Sequence, residues 1–121
     1  MTQTHNSKPY DLEDRTLEFA KKVRTFVKRL SKTFGNIEDI KQLLRASGSI
    51  GANYIEANEA LGKKDFLFRI GICRKEAKES RYWLRLIDIT SRLELEDERK
   101  DLENEATELM NIFGSILRKT K

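Results

Sequence analysis

Residues 66–87 read FLFRIGICRKEAKESRYWLRLI, and their apolar and small residues recur at alternating intervals of four and three. This heptad rhythm places one stripe of residues on a single face of an α-helix, a pattern typical of helices that pack side by side in a bundle. The pattern predicts a helix over residues 64–91. The stripe consists of Phe66, Ile70, Cys73, Ala77, Ser80, Leu84 and Ile87.

Three more helices are predicted around this segment, because apolar residues also recur there at spacings of three and four. They span about 11–33, 37–60 and 95–119. Gly35 is expected to adopt the left-handed conformation that ends the first helix. Asn36 is expected to cap the second helix with its side-chain oxygen.

The middle of the second predicted helix is unusually rich in small residues. Gly48 and Gly51 lie inside it, although a glycine within a helix costs roughly 1 kcal/mol relative to alanine. We expect another helix to approach closely at this point. Ile50, Tyr54 and Ile55 are assigned to the apolar face of the same helix.

Short turns between long helices favour antiparallel neighbours. The sequence therefore predicts an all-α, single-domain, up-down-up-down four-helix bundle over residues 10–121. The polar segment 1–9, MTQTHNSKP, lacks periodicity and is predicted to be a disordered N-terminal arm.

Several classes of protein and site are disfavoured by composition. One cysteine permits no intramolecular disulfide, no signal-peptide pattern opens the chain, and no apolar run approaches the ~20 residues of a membrane span, so we expect a cytoplasmic protein with no membrane partner. The only histidine, His5, lies in the predicted arm, which leaves no ligand set for zinc or a di-iron centre. No metal, cofactor or small-molecule substrate is predicted.

Catalysis has weak candidates. Cys73 lies on the apolar stripe, where a free cysteine usually packs as a small hydrophobe. Glu56 and Glu59, with Glu76 and Glu79, could converge as an acid/base pair or hold a cation. The favoured alternative is that these carboxylates face water or pair with nearby cations such as Arg45, Arg74, Lys78 or Arg81. No catalytic residue is assigned.

Basic residues form the most suggestive functional pattern. Residues 62–92 carry nine basic against four acidic side chains. A cationic stripe on the third helix, with Tyr82 and Trp83 beside it, is suited to phosphates and unpaired bases. An equally weighted alternative is an ordinary surface in which basic helices one and three pair with acidic helices two and four. The candidate nucleic-acid-binding residues are Arg74, Lys78, Arg81 and Arg85 on helix three, and Lys21, Arg24 and Lys28 on helix one.

A second group of residues is assigned to an interface or to structure. Asn53 and Glu56 lie near the small-residue patch, and a part-buried pair of this kind needs hydrogen-bond partners, so it would fix helix register or an interface. Large aromatic residues beside the seam suggest that an interface is buried there. The group comprises Arg45, Ser49, Asn53, Glu56, Tyr82 and Trp83.

Residues 40–87 resemble the bacterial four-helix-bundle family of 23S ribosomal RNA intervening-sequence proteins. The resemblance is carried by Arg45 and Ala46 before Ser49-Ile50, by Asn53 and Glu56, by Gly62 with Asp65-Phe66, and by the run KEAKESRYWL at 75–84. Many members have glycine where this chain has Ala57. The accessory protein of diversity-generating retroelements, which binds nucleic acid, is related in fold.

The resemblance implies a small bundle that often forms a ring-shaped homopentamer and has no established catalytic activity. We therefore expect a homo-oligomer, a pentamer in the family's manner, that binds ribosomal or other RNA through its basic helix surfaces. The alternative is a protein–protein adaptor or assembly module without nucleic-acid binding, in which the same residues form the subunit interface.

Overall fold

The structure, a computed structural model, describes residues 11–120 and consists of four α-helices. They are α1 (Asp11–Val27), α2 (Phe34–Asn58), α3 (Lys63–Leu86) and α4 (Leu93–Thr120). Residues 11–120 contain no β-strand. The arm predicted at residues 1–9 lies outside the described residues.

The helices form the antiparallel up-down-up-down bundle that the sequence predicts. Each helix packs against the next one in the chain, and α1 also packs against α4. Across the diagonal, the rings of Tyr54 of α2 and Phe113 of α4 meet in the core with centroids 5.8 Å apart. Every predicted stripe residue of α3 is buried or packs against the core. The largest fully buried side chains include Phe19, Val23 and Phe26 of α1, Leu43 and Ile50 of α2, Ile70 and Leu84 of α3, and Leu109 and Phe113 of α4.

The sequence predicts that no helix spans a membrane. Across residues 11–120, no helix combines the length and the apolar character that crossing a bilayer requires. Each helix instead carries charged residues on the faces turned away from the core.

The first turn differs from its prediction. α1 ends at Val27 rather than near residue 33, and α2 begins at Phe34. Thr33, not Asn36, is the N-cap, and its side-chain oxygen accepts a hydrogen bond from the backbone N–H of Asn36 at 3.2 Å. Gly35 lies in the first turn of α2, and no described glycine has a positive φ. A threonine hydroxyl in cap position satisfies an otherwise unpaired helix N–H, which accounts for the earlier start.

The third helix also ends earlier than predicted, at Leu86 instead of Ser91. Ile87 and Ile89 are both buried although they are two residues apart, and an α-helix cannot place such a pair on one face. The chain therefore leaves the helix to bury both side chains. Thr90 and Ser91 then reverse its direction with φ values of 54° and 65°.

Asn36 joins the two turns at this end of the bundle. Its side-chain nitrogen donates to the backbone oxygens of Ser31 at 3.0 Å and Asp88 at 2.8 Å, and its side-chain oxygen accepts from the N–H of Asp88 at 3.0 Å. Only 1% of the residue is exposed. This one amide side chain thus links the α1–α2 turn to the α3–α4 turn, and Arg92 adds a hydrogen bond to the backbone oxygen of Arg29 at 2.7 Å.

Helices α1 and α2 approach closely at the predicted small-residue segment. An added Cβ atom at Gly51 would lie 2.9 Å from Oγ1 of Thr16, closer than real contacts allow. Ile55, assigned to the apolar face, is instead 49% exposed. The small segment therefore serves the contact with α1, and Ile55 lies on the outer side of that contact.

Ion pairs connect α1 and the turn after it to α4. Arg15 binds Glu105 through two nitrogens, at 2.7 Å and 2.9 Å, and Glu108 at 2.6 Å. Arg29, in the turn after α1, pairs with Glu98 of α4. The hydrogen bond to Glu105 is the largest cause that raises the pKa of Arg15, so the guanidinium keeps its charge.

Candidate nucleic-acid interface

The basic residues predicted on α3 lie mainly beside α4. Arg85 pairs with Glu103 at 3.2 Å, and Arg81 donates to the hydroxyl of Thr107 at 3.2 Å. Arg74 passes close to Gly114, where an added Cβ would lie 3.5 Å from its Nε. Arg81 and Arg85 thus each direct one side-chain hydrogen bond at α4, and only that of Arg85 meets an acidic residue, as the alternative of basic helices against acidic helices anticipates.

The basic residues predicted on the first helix are exposed; Lys21 and Arg24 lie in α1, whereas Lys28 lies just after its end. Arg24 donates to its own helix at the oxygen of Ala20, 3.1 Å away, and reaches the oxygen of Leu44 on α2 at 3.5 Å. Lys21 and Lys28 form no ion pair with another described residue. Because α1 and α3 occupy diagonal corners, the two sets do not form one continuous face in a single chain.

The edge of α2 that faces α3 carries the polar residues assigned to structure. Asn53 donates to the backbone oxygen and the hydroxyl of Ser49, both at 2.9 Å. Its side-chain oxygen accepts a hydrogen bond from Arg69 of α3 at 2.9 Å. Glu56 is exposed and forms no hydrogen bond or ion pair with a described residue. Asn53 therefore links the two helices, and its partner is Arg69, not Glu56.

The sequence analysis does not identify Arg69 as a structural residue. The available signal is its spacing, because Arg69, Glu76 and Trp83 lie seven residues apart on α3 and so recur on one flank of the helix. That flank faces Asn53 and Arg45 of α2.

Arg45 meets two carboxylates of α3. It lies 3.7 Å from Glu76 and 3.5 Å from Glu79, and Lys75 lies 3.7 Å from each of the same carboxylates. Glu76 is only 5% exposed, and its Oε1 has no hydrogen-bond partner among the described residues. The carboxylates thus face cations rather than each other, as the favoured alternative to an acid/base pair states.

A cavity of about 600 Å³ opens beside this charged cluster, and its walls come from α2 and α3. Tyr82 and Trp83 form an edge-to-face pair with ring centroids 5.0 Å apart. Tyr82 is 57% exposed, whereas Trp83 is partly buried against the core. The cavity is lined by Gln42, Arg45, Lys75, Lys78, Glu79, Tyr82 and Trp83. The structure therefore brings Arg45, Lys78, Tyr82 and Trp83 together at one place.

Cys73 is fully buried, as predicted, and its thiol donates to the backbone oxygen of Ile50 at 3.4 Å. Burial raises the pKa of the thiol to about 12. A thiolate nucleophile is therefore disfavoured at neutral pH. Within residues 11–120, no three His, Cys, Asp or Glu side chains cluster closely enough to hold a metal ion.

Comparisons with known proteins identify relatives across most of the chain. A family model described as 23S rRNA-intervening sequence protein matches residues 10–115. A crystal structure of a protein of unknown function from the S23 ribosomal protein family, from Bacteroides thetaiotaomicron, is 34% identical. The alignment covers 87% of this chain and 96% of that chain, with a TM-score of 0.74. A comparison with curated proteins yields no match.

Proposed function

Because this chain belongs to the 23S rRNA-intervening sequence protein family, we propose that it is a non-catalytic, homo-oligomeric protein that binds RNA through the basic surface of α1 and the turn after it. The family description refers to ribosomal RNA, and the similar structure comes from a family described as ribosomal. Ribosomal RNA is therefore the first polyanion to test.

One observation carries the proposal. Between Glu18 and Glu38 the chain has six basic residues and no acidic one. All six are exposed, and only Arg29 forms an ion pair with a described residue. Along the sequence, no carboxylate interrupts these cations, a pattern suited to binding successive phosphates; on the surface, Lys22 lies beside Asp101 of α4. The six residues are Lys21, Lys22, Arg24, Lys28, Arg29 and Lys32.

The decisive experiment measures RNA affinity as a function of salt by fluorescence anisotropy. A triple variant, Lys21→Gln with Arg24→Gln and Lys28→Gln, should bind ribosomal RNA more weakly, and the slope of log affinity against log salt should fall by about 2. The matched control replaces Lys63, Lys64 and Lys119, which are exposed cations at the other end of the bundle, with Gln. Equal losses in both variants would contradict a binding surface on α1.

The homo-oligomeric part of the proposal is supported by apolar residues left exposed on two different faces. Leu17 and Ile55, 52% and 49% exposed, border a groove between α1 and α2. Phe68 and Leu86 of α3 are 63% and 50% exposed. Phe68 and Leu86 lie about 27 Å apart along α3, so they mark an exposed helix face and not one patch. The groove between α1 and α2 and this face of α3 are unlike surfaces, which permits a head-to-tail contact that repeats around a ring, the arrangement expected for a pentamer.

Light scattering tests self-association directly. The unmodified chain should have a mass several times 14.2 kDa, and a pentamer gives five times that value. Ile55→Glu should shift the mass toward the monomer, because a charge would be placed in the contact. Phe34→Glu is the control, since Phe34 is 94% exposed and lies outside both the α1–α2 groove and α3. A monomeric unmodified chain would refute self-association.

An adaptor without nucleic-acid binding is the second candidate. It is favoured by the contacts of Arg81 and Arg85 with α4, which leave these two cations less available to phosphates. An oligomer whose mass is unchanged by RNA at low salt would support the adaptor. An oligomer that gains mass with RNA only at low salt would support RNA binding.

A further inference from the structure

The cavity between α2 and α3 has a wall suited to a planar ring. Trp83 is held against the core, and the exposed ring of Tyr82 meets it edge-to-face. A volume of about 600 Å³ falls in the range of small-molecule sites. Aromatic walls of this kind bind nucleobases by stacking, whatever the base.

Cations surround the same cavity. Arg45, Lys75 and Lys78 line it, and Lys78 forms no ion pair with another described residue. Arg45 and Lys75 lie 3.5–3.7 Å from their carboxylates, so their ion pairs are long. The nitrogen atoms of these cations therefore have donor capacity to spare for a phosphate.

Two carboxylates give the cavity a preference among bases. Glu79 lines it and is only loosely contacted by Arg45 and Lys75. Glu76 lies nearly buried beside the cavity, and one of its oxygens has no hydrogen-bond partner among the described residues. Its contacts with Arg45 and Lys75 are long, at 3.7 Å, so it attracts both cations without a close ion pair. A carboxylate accepts two parallel hydrogen bonds, and guanine presents two adjacent N–H donors on its Watson–Crick edge.

We propose that this cavity binds an unpaired guanine nucleotide, with the base against Trp83 and Tyr82, its donors on Glu79, and its phosphate at Lys78 and Arg45. The inference rests on the proposed RNA-binding function and extends it. Phosphates along the strand contact α1 without regard to sequence, whereas this cavity reads one extruded base.

Trp83 is the only tryptophan, so intrinsic fluorescence reports on the cavity directly. The probe is guanosine 5′-monophosphate, compared with the monophosphates of adenosine, cytidine and uridine. Saturable quenching, tightest for the guanosine compound, is expected. No change with any nucleotide, or equal affinity for the guanosine and adenosine compounds, would overturn the proposal.

Two variants assign the contacts. Glu79→Gln should weaken binding of guanosine monophosphate roughly tenfold and remove its advantage over the adenosine compound. Lys78→Gln should weaken both compounds alike, because both carry the phosphate. Lys64→Gln, an exposed cation outside the cavity, is the control and should change neither. Unchanged preference in Glu79→Gln would refute the role of the carboxylate.

A second copy of the chain could cover the cavity instead. Tryptophan emission that changes with protein concentration, and stays insensitive to nucleotide, would show this and overturn the proposal. RNA binding by α1 and guanine binding by the cavity can be tested independently. The α1 triple variant should still bind guanosine monophosphate while losing RNA affinity, so loss of nucleotide binding with intact RNA binding would refute the cavity alone.

Discussion

At the scale of single residues, buried polar side chains do the most specific structural work. Asn36 satisfies three backbone groups in two turns that are 52 positions apart in the chain. These hydrogen bonds matter because Asn36 is buried. An unpaired backbone group away from water costs more free energy than a typical hydrogen bond contributes.

Replacing Asn36 with alanine tests this link. The variant leaves the oxygens of Ser31 and Asp88 and the N–H of Asp88 without their side-chain partner, so the free energy of unfolding should fall by about 2–3 kcal/mol. Urea denaturation measures the change. Asn104→Ala, at an exposed position of α4, is the control and should cost nothing. Similar values for both variants would refute the role of Asn36.

At the scale of helices, a glycine is required by packing in α2 but not in α3. Gly51 lies against Thr16 of α1, whereas an added Cβ at Gly71 would have no atom within 4 Å. Thr16 is itself buried and donates to the oxygen of Leu12 at 2.7 Å, so it cannot move aside easily. Helix propensity favours alanine at both positions, but packing opposes it at Gly51.

The two glycines therefore form a matched pair of variants. Gly71→Ala should raise the free energy of unfolding by about 0.5–1 kcal/mol, because alanine loses less backbone entropy in a helix. Gly51→Ala should lower it by about 1–3 kcal/mol, because α1 must shift away from α2. Thermal or urea unfolding measures both. Stabilisation by Gly51→Ala would show that the close contact is not tight in solution.

At the scale of the whole molecule, the four helices are not held equally. α1 has 17 residues, whereas the other three have 24–28. Its contact with α4 depends partly on Arg15, and Arg29 joins the turn after α1 to α4; both ion pairs lie near the surface. Surface ion pairs contribute little, typically about 0–1 kcal/mol each, so α1 should open more readily than the rest of the bundle.

Hydrogen exchange followed by mass spectrometry tests this order. Amides of α1 should exchange faster than those of α2, α3 and α4, and Arg15→Gln should accelerate α1 further while leaving α3 unchanged. Lys63→Gln, which removes an exposed cation without an ion pair to a described residue, is the control. Equal protection of α1 and α3 would contradict an unequal bundle.

The sequence identifies several residues of the candidate site, but it does not show that they lie together. Arg45, Lys78, Tyr82 and Trp83 were identified by charge and aromatic character, and the structure groups them around one cavity. Lys75, Gln42 and Glu79 complete its walls. The sequence offered Glu79 as a partner of a cation such as Arg45, but nothing in the periodicity marks Gln42 or Lys75 as part of a shared site. Side-chain contacts between helices depend on which flanks face each other, which a one-helix pattern does not contain.

Sequence alone determined the number of helices, the up-down-up-down order and most of the core, because a spacing of three and four residues defines one buried face and short turns force antiparallel neighbours. Tertiary structure decided where α3 ends, since Ile87 and Ile89 are both buried in the core, and it decided that Asn36 joins the two turns, whereas the cap at Thr33 is a local contact. It also decided which cations meet a carboxylate. Arg81 and Arg85 face α4, whereas Lys21 and Lys28 face no described acid, because only the packing of whole helices sets which flank meets which neighbour.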